Sequence, residues 1–358
     1  MIKQKEEKNL IVGLDIGTSK IVTIVSEIKN DGEIQILGIG QHVSRGLKKG
    51  VVVNIESTMQ AIQRSLEEAE LMADCKIKEV YTGIAGSHIR SINSTGMVKI
   101  RDLEVDNSDV ERVIETAQAI TLPPDQQVLH TLVQAYIIDD HYDIRLPRGM
   151  SGMMLEVKVH IVSGAIAAAQ NIVKCIKRSG LDVMELILQP LASADAVLTN
   201  DEKELGVCLI DIGGGTTDII VYKDGSVKHT AVIPIAGDQI TNDISVAFRT
   251  PQQSAEEIKI NYGCCDSEKA SPKEMIDVPL VDGRAPKKIT IKDLSEIIEP
   301  RVNELFELVT NELIRSKLNN KIASGIVITG GSSLMNNITD VAEKNFKQSV
   351  RIGYQQGI

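Results

Sequence analysis

The sequence predicts an α/β fold with two similar lobes and an extra unit inserted into the first lobe. Three observations lead to this prediction. A strand–loop–strand pattern around Asp15 returns around Asp211, a separate group of strand patterns lies at about 87–163, and the chain has 358 residues of which 42% are apolar. A repeated pattern indicates a duplicated architecture, and this length and composition allow two lobes that each bury a core.

The first copy of the repeat begins with an apolar run at Leu10, which ends in a glycine-containing loop at 15–20. Strand patterns follow at 21–25 and, after a turn at 30–32, at 34–37. Runs of β-prone residues around short glycine loops are typical of hairpins. The first lobe should therefore begin with a hairpin that carries the loop at its tip.

The second copy repeats this order, with a strand at 206–211, a glycine loop at 211–218 and a strand at 219–222. An Asp-Gly turn at 224–225 and a further strand at 227–233 complete it. Asp-Gly between β-prone runs is a strong hairpin signal. Each lobe is therefore predicted to contain an antiparallel hairpin of the same design.

The rest of the chain is interpreted from apolar periodicity and from cap, glycine and proline signals. Predicted helices lie at 57–73, from a cap at Asp106, at 165–178 before Gly180, from Gly237, at 254–260, at 291–318 with a kink or restart at Pro300, and at 334–346. Predicted strands lie at 80–84, 97–100, 129–138, 155–162, 183–188 and 325–329.

These elements divide the chain into an N-terminal tail, two lobe cores, the inserted unit and a small subdomain of the second lobe. The predicted ranges are 1–9 for a flexible tail, 10–86 and 164–199 for the first lobe, 87–163 for the inserted unit, 200–236 and 318–358 for the second-lobe core, and 237–317 for its small subdomain.

Composition excludes several classes of function. The formal net charge is −10 and the sequence has no basic run interleaved with aromatic residues, which argues against nucleic-acid binding. The five cysteines have no metal-site or C-x-x-C spacing and fit reduced thiols in a cytosol. The charged N-terminus is unlike a signal peptide, and no apolar run is long enough to span a membrane, so a soluble chain is expected.

The two glycine loops have the composition of phosphate-binding loops. Backbone N–H groups hold phosphate oxygens best where side chains do not intrude, and a neighbouring hydroxyl or Lys reinforces the site. Asp15 and Asp211 precede the glycines at the strand ends, where they could hold a hydrated Mg²⁺ beside the phosphates. The predicted phosphate contacts are Gly17, Thr18, Ser19, Lys20, Gly213, Gly214, Gly215, Thr216 and Thr217.

A third glycine loop follows the strand pattern at 325–329. Gly330, Gly331 and Ser332 would let the backbone approach a base or a ribose closely. Glu256 and Lys259 lie three residues apart on one face of a predicted helix and complete the candidate nucleotide contacts.

Five motifs of this sequence occur in the order that the actin superfamily has. They are Asp15-Ile-Gly-Thr, Gln189-Pro-Leu-Ala-Ser, Asp211-Ile-Gly-Gly-Gly-Thr, Glu256-x-x-Lys259 and Thr329-Gly-Gly-Ser. Within that superfamily the chain resembles the FtsA family of bacterial cell-division proteins, from about Leu10 to Gly353. The most specific segments of the resemblance lie at 83–90, 149–152, 156–162 and 206–215.

The resemblance implies a duplicated, RNase H-like ATPase fold of the actin type, with the FtsA subdomain at 87–163. It implies that ATP and Mg²⁺ bind in the cleft between the lobes and that the chain assembles into protofilaments. It also implies a tether for the tubulin-like FtsZ on the cytoplasmic face of the inner membrane at the septum. The inserted unit would serve filament contacts and recruit later division proteins, and Arg284, Arg301 and Asn303 are candidates for receiving the acidic FtsZ tail peptide.

Two features depart from the pattern of the family. Where some relatives have Glu-Pro, this chain has Gln189-Pro190. A Gln can orient a water molecule but is no general base, so ATP hydrolysis is expected to be slow at most. The family also continues into a basic amphipathic helix that binds the membrane, and 335–358 shows no such pattern. We therefore expect either a shortened chain or a partner that supplies the tether.

Other functions on the same fold stay open at this point. A small-molecule kinase would need a catalytic Asp near a substrate hydroxyl, and no motif identifies one. An Hsp70-like chaperone would need a peptide-binding domain and would lack the inserted unit. A dinucleotide-binding dehydrogenase is disfavoured, because each glycine loop leads into a strand instead of a helix.

Overall fold

The computed structural model describes residues 10–29 and 32–355, so the predicted tail at 1–9 lies outside the described residues. The elements of the first half are β1 (Leu10–Ile16), β2 (Lys20–Ile28), β3 (Ile34–Val43), β4 (Leu47–Lys48), β5 (Val51–Val52), α1 (Ile55–Ala73), β6 (Glu79–Ile84), β7 (Arg90–Lys99), α2 (Asn107–Gln118), β8 (Gln126–Ile138), β9 (His141–Ile144), β10 (Met154–Ala165), α3 (Ile166–Arg178), β11 (Asp182–Leu188) and α4 (Gln189–Val197).

The second half repeats much of this order. Its elements are α5 (Asn200–Leu205), β12 (Val207–Ile212), β13 (Thr217–Lys223), β14 (Ser226–Ile233), α6 (Gly237–Phe248), α7 (Gln252–Tyr262), β15 (Met275–Val278), β16 (Lys287–Thr290), α8 (Ile291–Arg315), β17 (Ile326–Thr329), a 3₁₀ turn (Gly331–Leu334), α9 (Ile338–Phe346) and β18 (Val350–Ile352).

The two large sheets have the same strand order. It is β3-β2-β1-β6-β11 in the first lobe and β14-β13-β12-β17-β18 in the second. In both sheets the first three strands are antiparallel, and the last two run parallel to the central strand. Helices α1 and α8 precede the fourth strand of their sheets, and α3 and α9 precede the fifth. The predicted duplicated two-lobed fold is confirmed, whereas the residue limits of its subdomains stay a prediction.

Helix α1 shows why the first lobe folds as it does. Its N-terminus is capped by the Asn54 side chain, and Ile62 and Leu66 are buried on the stripe that the sequence predicts. The helix lies so close to β3 that a Cβ atom on Gly40 would clash with the backbone oxygen of Ser65. Glycine in β3 therefore sets the distance between the helix and the sheet.

The inserted unit is a separate layer of sheet and helix. Its sheet has the order β7-β10-β8-β9, and α2 packs on it through the buried side chains of Val113 and Ala117. A capping box of Asp106 and Asp109 starts α2 where the sequence predicts. The unit thus has its own small core, in which Val157 of β10 takes part.

Two predicted helices of the second lobe differ in detail from the structure. Of the kink or restart predicted at Pro300, the restart is wrong, because helix α8 is continuous from Ile291 to Arg315, and the kink stays a prediction. Proline in a helix interior costs about 3 kcal/mol. The burial of Ile298, Val302 and other side chains on both sides of it offsets that cost.

The helix predicted at 334–346 begins later in the structure. A 3₁₀ turn occupies Gly331–Leu334, and α9 starts at Ile338 after Asn337, whose φ of 62° is left-handed. Asn tolerates that conformation better than most residues, and a left-handed residue cannot continue a helix. Among the residues described, no helix combines the length and the apolar composition that crossing a membrane requires.

The inserted unit also contacts the second lobe through a buried histidine. His160 Nε2 lies 2.9 Å from Thr230 Oγ1 of β14, and His160 Nδ1 lies 2.7 Å from Asn93 Oδ1. The His229 ring packs edge-on against it and is itself paired with Glu312. Burial, followed by the proximity of His229, lowers the pKa of His160 to about 4.

Lowering the pH from 7 to 5 should therefore reduce the free energy of unfolding. The unfolded chain binds a proton at this histidine near its ordinary pKa of about 6.5, whereas the folded chain binds it only near 4, so stability falls as pH drops through that window. The loss attributable to His160 is about 2 kcal/mol at pH 5. Urea unfolding at several pH values should show a flatter dependence for His160→Gln than for the control His42→Gln, and equal slopes would contradict this assignment.

Candidate functional site

The two predicted phosphate loops are four-residue hairpin tips of the same construction. Ile16 pairs with Ile21 around the first loop, and Ile212 pairs with Thr217 around the second. The Gly17 N–H donates to Lys20 O at 3.1 Å, and the Gly213 N–H donates to Thr216 O at 3.0 Å. Both loops are therefore closed by the same backbone hydrogen bond.

The loops meet tip to tip across the cleft between the lobes. A Cβ atom on Gly214 would clash with the Ser19 hydroxyl, and one on Gly215 would lie 2.5 Å from Thr18 Oγ1. The Gly50 N–H, in the β4–β5 turn, donates to the same Thr18 hydroxyl at 3.2 Å. Glycine in the second loop thus makes room for the hydroxyls of the first.

The two predicted carboxylates lie behind these loops, each held by a side chain of α4. Gln189 Nε2 donates to Asp15 Oδ1 at 2.6 Å, and Ser193 Oγ donates to Asp211 Oδ2 at 2.6 Å. Asp15 has a surface open to the cleft, but it is surrounded by dense protein. This burial, followed by the charge of Asp211, raises the pKa of Asp15 to about 6. The charge of Lys20 and the hydrogen bond from Gln189 lower the same pKa by less. Burial likewise raises the pKa of Asp211, against the hydrogen bond from Ser193.

A third carboxylate, Asp218, was not predicted. It lies directly opposite Asp211 in the hairpin register and is buried, with Oδ2 accepting from Thr216 Oγ1 at 3.2 Å. Burial, followed by the charges of Asp211 and Asp15, raises its pKa to about 8. Its Oδ1 has no hydrogen-bond partner among the described residues. The hairpin register could have indicated this residue, because the partner of Asp211 follows from the loop length.

The three carboxylates fit a hydrated cation better than a directly bound one. Their mutual repulsion and the partnerless oxygen of Asp218 indicate that positive charge would stabilise this end of the cleft. Within 10–29 and 32–355, however, no three Asp, Glu, His or Cys side chains come close enough to ligate a metal ion directly. This geometry suits Mg²⁺, which keeps several of its waters and also binds substrate phosphates.

The two predicted nucleotide contacts on α7, Glu256 and Lys259, lie together beside the N-terminus of α6. The Lys259 ammonium donates to Gly237 O at 3.1 Å, to Thr241 Oγ1 at 2.9 Å and to Glu256 Oε2 at 2.7 Å. Lys259 is buried, so its charge is already neutralised by acceptors of the protein. Of this pair, Glu256 keeps the larger accessible surface for a ligand.

The third loop is joined to the second phosphate loop. Ser332 Oγ donates to Gly213 O at 3.2 Å, and Gly330 lies against Asp211 in a conformation with φ 89° and ψ 167°. That conformation is essentially restricted to glycine. The structure therefore brings the three glycine loops and Asp211 into one site, as the motif order predicts.

The three candidate peptide-binding residues lie outside this cleft. Arg301 is paired with Asp243 at 2.7 Å and also with Glu304. Asn303, on the same helix, accepts a hydrogen bond of 2.8 Å from the Asn345 side chain. Arg284 lies in the segment between β15 and β16, and its side chain is 79% exposed. Of the three, Arg284 is the most accessible to a partner.

Comparison with known proteins identifies both the inserted unit and the second lobe. The family model described as "SHS2 domain inserted in FTSA" matches residues 86–163, and the model "Cell division protein FtsA" matches residues 208–357. Cell division protein FtsA of Pseudomonas aeruginosa is 57% identical over 344 residues, which cover 96% of this chain and 82% of that protein. The chain belongs to the FtsA family.

Other members of the FtsA family match over similar lengths. The protein of Neisseria meningitidis is 51% identical, over 98% of this chain and 85% of its own length. The protein of Escherichia coli K12 is 43% identical, over 99% of this chain and 86% of its own length. The match of residues 86–163 to the SHS2 model identifies the inserted unit as the SHS2 domain of the family.

Solved structures support the fold assignment independently. A chain of the PilM–PilN type IV pilus biogenesis complex superposes with a TM-score of 0.67 at 17% identity, covering 96% of this chain and 87% of that chain. MreB5 of Spiroplasma citri bound to ADP gives a TM-score of 0.59 at 16% identity, covering 97% of this chain and 92% of its own. At these identities the likeness shows the fold, which is that of the actin-like ATPases.

Proposed function

We propose that this FtsA-family chain binds Mg-ATP between its lobes and uses the nucleotide to control assembly into filaments that link FtsZ to the membrane. The observation that carries the proposal is the meeting of two matched glycine loops in front of Asp15 and Asp211. The MreB5 neighbours, which were solved with ADP and with AMPPNP, have the same fold and support a nucleotide in this cleft.

In this proposal the backbone N–H groups of both loops hold the phosphate chain, and Lys20 adds a point charge. Mg²⁺, when bound, would neutralise the phosphate charge, and Asp15 and Asp211 would hold it through water. The third loop and Glu256 would contact the adenosine. The clamp thus uses residues from both lobes, so nucleotide binding favours a closed cleft.

Hydrolysis in this proposal is weak at most. Gln189 is the residue predicted to orient a water molecule, and its side-chain amide already donates to Asp15. An amide cannot take a proton from water at neutral pH. The nucleotide therefore acts as a switch for assembly more than as a substrate to be turned over.

The proposed partners follow the family. FtsZ would bind through its acidic tail peptide, the inserted unit would contact neighbouring copies and later division proteins, and a C-terminal helix of the family type would hold the assembly at the inner membrane of the septum. A small-molecule kinase is the alternative, and phosphorylation of a sugar or an acid at ordinary kinase turnover would favour it.

Binding of an FtsZ tail peptide tests the partner assignment. A fluorescently labelled peptide should raise its anisotropy with the unmodified chain, and Arg301→Glu or Arg284→Glu should weaken binding about tenfold, because each replaces an attractive charge with a repulsive one. Arg284→Glu is the cleaner probe, because Arg284 pairs with the exposed Asp282 of its own loop, whereas Arg301 of α8 pairs with the partly buried Asp243 of α6. Arg148→Glu, in the inserted unit, is the control.

No binding of the FtsZ peptide by the unmodified chain would contradict the proposed adaptor function. Binding that is unchanged in both substituted chains would leave the adaptor function standing but remove these arginines from the peptide site. A similar loss in Arg148→Glu would show a general charge effect instead.

A further inference from the structure

The inserted unit bridges the two lobes. Both of its ends are continuous with the first lobe, because β7 follows β6 and β10 runs directly into α3. Its sheet nevertheless lies against β14, the edge strand of the second-lobe sheet. A movement that separates the second lobe from the first would therefore act on this contact.

The contact consists mainly of side-chain donors on backbone oxygens of β14. Ser91 Oγ donates to Thr230 O at 2.8 Å, and Asn93 Nδ2 donates to Lys228 O at 3.3 Å. Gln134 Nε2 donates to Val227 O at 2.8 Å. In this way the inserted unit satisfies an edge that would otherwise be open to water or to another strand.

A histidine lies at the centre of this contact. His160 is buried and joins Asn93 of its own sheet to the Thr230 hydroxyl of β14. The Asn93 side chain consequently serves both as partner of His160 and as donor to the second lobe. Such a network fixes the position of the inserted unit on β14, because a shift would leave buried polar groups without partners.

The periphery of the contact is less tightly packed. Arg145 reaches from the inserted unit to Glu204 and to the backbone oxygen of Asp224 in the second lobe. A polar cavity of about 280 Å³ remains beside these groups. The surfaces are thus held by specific hydrogen bonds, with a polar pocket at their edge.

Strand β14 is coupled directly to the second phosphate loop. It pairs along its length with β13, which begins at Thr217 at the end of that loop. The Thr217 hydroxyl donates to Ile235 O, just beyond β14, at 2.8 Å. A movement of the second phosphate loop is therefore transmitted by the β13–β14 hairpin to the surface that contacts the inserted unit.

We propose that the inserted unit is a latch between the lobes, which holds the cleft closed through Ser91, Asn93 and Gln134 and releases β14 when the cleft opens. The contact between the inserted unit and β14 then depends on whether the nucleotide cleft is open or closed, although this contact lies outside the cleft. Loss of the latch shifts the population of the chain towards the open cleft without touching the phosphate loops.

Pulsed EPR distances between the lobes test the latch without relying on nucleotide binding. Spin labels at Leu71→Cys in α1 and Val246→Cys in α6 would report the opening, in a background with Cys75→Ser. Both label positions are exposed. The variant Ser91→Ala/Asn93→Ala/Gln134→Ala should gain a population at longer distances, whereas Thr116→Ala/Gln118→Ala, which removes hydrogen bonds inside the inserted unit, should match the parent.

A second variant covers the case in which the triple substitution fails to fold. Thr230→Val is nearly isosteric, removes only the hydroxyl that faces His160, and should lengthen the distances in the same direction. Identical distance distributions for the parent, the control and a folded latch variant would overturn the proposal.

The dissociation rate of a fluorescent ATP analogue gives a second readout, and this one rests on the proposed function. The latch variants should release the nucleotide at least about fivefold faster, because part of the free energy that closes the cleft is lost. An unchanged rate in a chain that binds the analogue and shows longer distances would overturn the link from the latch to the nucleotide. A chain that binds no nucleotide would contradict the proposed function, while the EPR result would still decide on the latch.

Discussion

Replacing Asp211 by Ala is expected to weaken Mg-ATP binding at least tenfold, or about 1.4 kcal/mol. Asp211 lies behind the second glycine loop, accepts from Ser193 and contributes to the raised pKa of Asp218. Without it the cleft loses a carboxylate that attracts the cation and positions it beside the phosphates. Isothermal titration calorimetry with ATP and MgCl₂ measures the loss.

The control for this substitution is Asp182→Ala, which removes an exposed carboxylate at the start of β11. Calorimetry in excess EDTA separates the metal from the nucleotide, because the difference between parent and Asp211→Ala should shrink when no Mg²⁺ is present. Equal affinities of the parent and Asp211→Ala for Mg-ATP would mean that the second loop has only a structural role.

Replacing Gly330 by Ala should lower the free energy of unfolding by about 3 kcal/mol. Its φ of 89° and ψ of 167° lie in a region that residues with a Cβ atom rarely adopt. The added atom would lie 2.5 Å from Asp211 Oδ1 and 2.5 Å from Ile212 O. The nearest groups include backbone, so the third loop cannot relax by a rotamer change alone, and nucleotide affinity should fall with stability.

The neighbouring glycine provides a matched control for this prediction. A Cβ atom on Gly331 would meet no described atom within 4 Å, and its backbone has no positive φ. Urea unfolding should therefore show little change for Gly331→Ala. Equal destabilisation by the two substitutions would contradict the close approach of the third loop to Asp211.

The sequence predicts the parts of this structure that depend on local pattern. Strand–loop–strand signals with glycine at the tip predict both hairpins, and their recurrence predicts two similar lobes. Capping at Asp106 and the glycine after α3 predict helix ends, because these signals act within a few residues. The convergence of the loops carrying Gly17, Gly213 and Gly330 is implied by the resemblance to the actin superfamily and not by local pattern.

Features set by distant parts of the chain could not be predicted in this way. Ser193 donates to Asp211 only because α4, which follows β11 of the first lobe, also contacts β12 and β13 of the second lobe. Continuity of α8 through Pro300 depends on burial against other elements, which overrides the local signal. The contact of the inserted unit with β14 joins residues that are far apart in the sequence, such as Ser91 and Thr230, which are 139 positions apart. Neither surface has a sequence pattern that identifies its partner.

In the proposed two-lobed clamp, the two glycine loops at 17–20 and 213–216 have a definite task. They belong to different lobes, touch across the cleft and lie in front of three mutually repelling carboxylates. A ligand that supplies phosphates on one side and a cation on the other would satisfy both features together. The latch then couples that ligand to the family-specific unit of the fold.

A crystal structure of this chain with AMPPNP and MgCl₂ tests the central claim most directly. It should show the phosphates between the loops at 17–20 and 213–216, the base beside the loop at 330–332, and Mg²⁺ waters within hydrogen-bond reach of Asp15 and Asp211. Nucleotide bound elsewhere, or a cleft that stays empty at saturating nucleotide, would contradict the account.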